Sequence, residues 1–116
     1  MPEDKVRSVY ELIAKKYGAE VSIEDLSLNL SIGATDLIIA KNDPKAIALV
    51  VINLSANVLY LRPVSPASAT AGIRLAAAGG SLSMDWESDF NLPSLEWHAL
   101  ASGVASVIYG FRVILR

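Results

Sequence analysis

Residues 46–62 read AIALVVINLSANVLYLR. Ala46 to Leu54 is continuously apolar and rich in β-branched side chains, which predicts a central strand covered on both faces, with Leu49 at its middle. Ser55-Ala56-Asn57 makes a short connection, and Val58 to Arg62 follows as a second apolar run. The pair reads as a hairpin.

Working outward, the same grammar continues. Pro63 to Ala71 reads as a loop, Gly72 to Leu75 as a short strand and Ala76 to Gly80 as a small-residue turn. Ser81 to Asp85 alternates, with Leu82 and Met84 on one face. Trp86 to Ser94 reads as a polar loop. Leu95, Trp97, Ala99 and Ala101 share one face of the next strand. The chain closes with Val104 to Tyr109 and Phe111 to Leu115, read as one strand bent at Gly110. Upstream, Leu37 to Ala40 is a short strand closed by the turn Lys41-Asn42-Asp43-Pro44. Leu26, Leu28, Leu30 and Ile32 alternate with Ser27, Asn29 and Ser31, which predicts a strand with one buried face.

Only the N-terminal segment has helical periodicity. Val6, Val9, Tyr10, Ile13 and Tyr17 recur at spacings of three and four. Pro2, Glu3 and the capping candidate Asp4 supply start signals, and Gly18 is the expected left-handed stop. The expected fold is therefore mainly β: a single antiparallel β-sandwich or barrel of about eight short strands with one N-terminal α-helix. The expected division is 1–18 for the helix, an appendage, and 19–116 for the β-sandwich domain.

The chain has 116 residues, 53% hydrophobic and 19% charged, with a net charge of -2 and no cysteine. Soluble domains average roughly 25% charged residues. Disorder is excluded, since it requires low hydrophobicity and high net charge. Disulfide and cysteine-ligated metal sites are excluded by composition. The charge balance and the lack of a basic stripe argue against a nucleic-acid partner. The first residues hold no apolar run of the signal-peptide kind, and the apolar segments at 46–61 and 99–115 are broken by polar or glycine positions, so no membrane association is expected. The apolar surplus implies a dense core, or surface buried against other subunits.

No catalytic constellation stands out. His98 is the one histidine, lies on the strand face opposite Leu95 and Trp97, and reads as a plain surface or interface residue. Asp85, Glu87 and Asp89 alternate as cation ligands can, but the EF-hand glycine position falls on Phe90. The bland reading is a solvated acidic loop, with no metal and no cofactor. Gly72, Gly79 and Gly80 precede no Lys-Ser/Thr pair, so they read as turn geometry. Tyr60, Trp86, Trp97, Tyr109 and Phe111 are read mainly as core or interface, with a ligand platform as the other possibility.

From Asp43 onward the chain resembles the small virion-associated β-sandwich structural proteins of tailed bacteriophages. The residues that carry the likeness are DPKAIALVVINLSANVLYLRP, then SATAGIRLAAAGGSLSMD, then DFNLPSLEWHALAS, and finally ASVIYGFRVILR. His98 departs from the pattern, which more usually has an aromatic after the tryptophan. The C-terminus also departs, ending in Ile114-Leu115-Arg116 rather than an acidic residue, and the N-terminal helix lies outside the pattern. The resemblance implies a non-enzymatic structural protein of the particle, of the capsid decoration or cement type or a head-tail accessory. It would be made in the host cytoplasm and reside in the virion. Its expected partners are copies of itself and the major capsid protein or another virion protein. Decoration proteins commonly sit on the shell as trimers, so a trimer is one form the resemblance allows.

The expected interface residues are Val6, Val9, Ile13 and Tyr17 on the helix stripe, with Trp86 and Trp97. The alternative from a different class is a small carbohydrate- or ligand-binding module that uses Trp86, Trp97 and the acidic loop.

Overall fold

The structure is a computed structural model that describes residues 8–26, 32–103 and 106–116. It is mainly β. Among the described residues, eight strands form two four-stranded antiparallel sheets, the arrangement of a β-sandwich. The first sheet has the order β1 (Val21–Asp25), β8 (Ile108–Leu115), β3 (Ala46–Asn53), β6 (Ser81–Asp85). The second has the order β2 (Leu37–Ala40), β7 (Trp97–Ala101), β4 (Leu59–Pro63), β5 (Ile73–Leu75). Among the described residues no helix is long and apolar enough to cross a membrane.

The core lies between the two inner faces. Leu49 and Val51 of β3 and Met84 of β6 join Leu59, Leu61, Leu75, Trp97, Ala99 and Ala101 of the other sheet in one buried cluster. Each large apolar side chain so buried contributes about 1.5–3 kcal/mol. The alternation predicted for Leu82/Met84 and for Trp97/Ala99/Ala101 matches the inward positions, and Leu49 is fully buried as expected.

The stretch at 46–62 departs from its reading in two ways. β3 pairs with β6 and β8, whereas β4 pairs with β5 and β7, so the two strands lie in different sheets and form a corner rather than a hairpin. Asn53 is the cause. Its buried amide donates to the carbonyls of Asn57, Leu75 and Ala76 at 2.8, 3.3 and 3.2 Å, and its Oδ1 accepts from the Ser55 backbone N–H at 3.0 Å and the Ser55 hydroxyl at 2.8 Å. One side chain thus satisfies the backbone groups that the bend takes out of the ladder. Second, β3 is not covered on both faces by its own chain: Ala48, Val50 and Ile52 point outward and are only half-buried.

Other elements shift less. The run at 108–115 is one continuous strand through Gly110. The supposed polar loop holds a short helix α2 (Trp86–Asp89) and a 3-10 turn at Leu92–Ser94. A strand forms at Val21–Asp25, ahead of the predicted Leu26–Ile32 run. Leu28 and Leu30 lie outside the described residues, while Leu26 and Ile32 are both buried. At the turn before β6, a Cβ on Gly80 would collide with the backbone of Ala76, so only glycine fits there.

Helix α1 (Val9–Tyr17) is capped by Ser8, whose hydroxyl accepts from the Glu11 N–H at 3.2 Å. Asp4, the expected cap, lies outside the described residues. Gly18 ends the helix at φ 69°, and its N–H donates to the Ala14 carbonyl at 2.8 Å, as its position predicted.

Candidate functional site

Two features stand out at the surface. The first is a cleft of about 610 Å³ where α1, α2 and the start of β3 meet. Apolar contributions from Pro44, Ala46, Ile47 and Leu115 line it together with the rings of Tyr17, Trp86 and Phe90, and Glu87, Asn91 and Ser94 supply the polar groups. Its volume and its mix of apolar lining with a few polar groups suit a small ligand.

Local chemistry builds this cleft. Asp85 ends β6 and caps α2, accepting from the Ser88 N–H at 2.8 Å, and Asp89 accepts from the Asp85 N–H at 3.0 Å. Two of the three alternating carboxylates therefore hold the turn itself. The third, Glu87, pairs with Lys16 of α1 at 2.9 Å, and that hydrogen bond raises the lysine pKa. Trp86 donates its indole N–H to the Tyr17 hydroxyl at 3.0 Å, and the two rings meet edge to face with centroids 6.2 Å apart. The helix C-terminus is thus fastened to α2 by one ion pair and one aromatic pair.

Phe90 follows α2 with φ 59° and ψ -134°, and its side chain is 83% exposed. A non-glycine residue held there carries roughly 1–3 kcal/mol of backbone strain. Folding alone gives no reason for this arrangement, because the ring gains no burial. Beside it, the Asn91 side-chain amide has no hydrogen-bond partner among the described residues. The Asn91 carbonyl accepts from the Ser94 hydroxyl at 2.7 Å.

The second feature is the outer face of the first sheet. Antiparallel register places Ile23 beside Val113 and Val113 beside Ala48, then Phe111 beside Val50 and Tyr109 beside Ile52. Ile23 is 63% exposed, and the band is bordered on β6 by Ser81, Ser83 and Asp85.

The predicted interface residues are dispersed by the fold. Trp97 is 1% exposed, donates its indole N–H to the Leu92 carbonyl at 2.8 Å and belongs to the core, so it is neither an interface nor a platform residue. Inward alternation on a central strand is what buries it. Trp86 and Tyr17 come together in the cleft, and Val9 is exposed on the helix. Val6 and the Ile13 side chain lie outside the described residues. Sequence reasoning missed Phe90 and Asn91. The available signal was an aromatic placed directly after an acidic turn.

His98 also departs from its reading. It is 6% exposed rather than a surface residue, and its ring lies between Asp36 and Glu96, each at 2.7 Å. Among the described residues no group of three His, Cys, Asp or Glu side chains is arranged to hold a metal.

No known protein family matches the sequence, and no curated protein matches it. Solved structures with a loose likeness include the following two. One is described as "Bacillus endospore appendages form a novel family of disulfide-linked pili", with 17% identity, a TM-score of 0.45, and coverage of 82% of this chain and 85% of that one. The other is the capsular polysaccharide assembling protein CapF from Staphylococcus aureus, with 10% identity, a TM-score of 0.35, and coverage of 83% of this chain but 22% of that one.

Proposed function

We propose that this chain is a non-enzymatic structural subunit that assembles with copies of itself into a larger particle. The observation that carries this reading is the outward band of Ile23, Val113, Phe111, Tyr109, Val50 and Ile52, in which Ile23 and Tyr109 are exposed and the other four are only half-buried by the chain's own elements. Covering it with a second protein surface removes apolar area from water, and obligate interfaces are apolar in this way. The placement in a tailed-phage particle, as a capsid decoration subunit bound to the major capsid protein or another virion protein, rests on the strand and turn pattern of residues 43–116.

Sedimentation of the purified chain at micromolar concentration tests the assembly. An oligomer is expected, and Ile23→Lys is expected to dissociate it while leaving the protomer folded by circular dichroism, since that side chain is exposed in the single chain. A wild-type chain that stays monomeric overturns the proposal.

A further inference from the structure

We propose that the cleft between α1, α2 and the start of β3 binds a neutral saccharide, held by the ring faces of Trp86 and Phe90 and by the polar groups of Glu87 and Asn91. This site uses other residues than the assembly band and does not depend on that reading.

The argument starts from what the cleft offers. A pyranose ring has apolar C–H faces and a rim of hydroxyls that both donate and accept. Its complement is an aromatic face beside mixed polar side chains. Phe90 supplies such a face, 83% exposed and held outward by a backbone conformation that disfavours a side chain. Strain of this kind gathers where function requires a fixed geometry. Trp86 supplies a second face, 44% exposed. Its one donor is already taken by the Tyr17 hydroxyl at 3.0 Å, so the indole is fixed in orientation and presents its ring rather than its N–H.

Polar groups complete the match. Glu87 keeps lone pairs beyond its contact with Lys16, and a carboxylate accepts from hydroxyls. The Asn91 amide provides a donor and an acceptor on the same wall. A purely apolar ligand would cover these groups without using their remaining hydrogen-bonding capacity. Charge selects further: Glu87 lines the cleft, and Asp85 and Asp89 belong to the same short helical turn, which disfavours an anionic ligand.

The test uses the full chain and its two tryptophans. Trp97 is buried, so acrylamide quenching reports on Trp86. Cellotriose, chitotriose and maltotriose are titrated, with trigalacturonate as the anionic comparison. At least one neutral trisaccharide should protect Trp86 saturably, with half-saturation on the order of 1 mM, and trigalacturonate should not. Phe90→Gly removes the ring and also relieves the positive φ, so it should fold at least as well as wild type. It should nonetheless weaken binding about tenfold or more. Three outcomes each overturn the proposal: no protection by any neutral trisaccharide, equal protection in Phe90→Gly, or equal binding of trigalacturonate. Loss of saccharide binding with an intact oligomer refutes this site alone.

Discussion

The Nδ1 of His98 lies 2.7 Å from a carboxylate oxygen of Asp36, a residue 62 positions away in the chain. The other ring nitrogen lies 2.7 Å from Glu96. Only the imidazolium can donate from both nitrogens at once. Burial by itself lowers the pKa of this ring, but the two carboxylates outweigh it and the net displacement is upward. The remaining oxygen of Asp36 accepts from the Ala67 N–H at 2.8 Å, so the cluster ties the loop after β4 to β7. Arg62 of β4 lies opposite His98 in register.

A raised folded-state pKa sets the sign of the pH dependence. The stabilisation is fully present below the unfolded histidine value of about 6.5 and is lost as pH rises through the higher folded value. Urea midpoints measured from about pH 5 to about pH 9 should therefore fall on the alkaline side. Asp36→Asn should flatten that fall. His98→Ala should cost about 1–3 kcal/mol at pH 6, because two charge-assisted hydrogen bonds are lost and two carboxylates are left facing each other.

Asn53 holds the corner between the sheets through five hydrogen bonds. Asn53→Ala should destabilise by about 2–4 kcal/mol, because buried carbonyls lose their donor. Chemical denaturation measures this directly. Asn53→Asp should be no better, since it replaces the donating amide with an acceptor.

Arg112 points into the core from β8, and its Nε donates to Glu24 of β1 at 2.7 Å. Its Nη1 is buried with no partner among the described residues. Glu24→Ala should cost about 1–3 kcal/mol by leaving a buried cation unpaired, less than for a fully buried pair because Glu24 is partly solvated. Arg112→Met should be neutral or stabilising, and combining the two should recover most of the loss. A double-mutant cycle by denaturation checks all three values.

Much of the fold was legible in the chain because its signals are local. Alternation at Ser81–Asp85 and Leu95–Ala101 marked strands and their inward faces. Gly18 marked the helix end. Neither required knowledge of a partner. The acidic turn was visible too, but not that Asp85 and Asp89 would be absorbed in holding α2. The aromatic cleft was not legible, since Tyr17 and Trp86 are 69 positions apart and only packing brings them together.

The sequence by itself determined that this protein is an apolar, short-stranded β-structure, with Leu49 in its core and a helix stopped at Gly18. Periodicity and backbone preference act within a few residues, so they are written into the chain. Tertiary structure decided which sheet each strand joins, turning an apparent hairpin into a corner through Asn53. It buried His98 between two carboxylates, moved Trp97 into the core, and left one face of β3 half-buried and the ring of Phe90 in solvent. The physical reason is that partner choice and burial depend on contacts between distant segments, whose free energy no local pattern encodes.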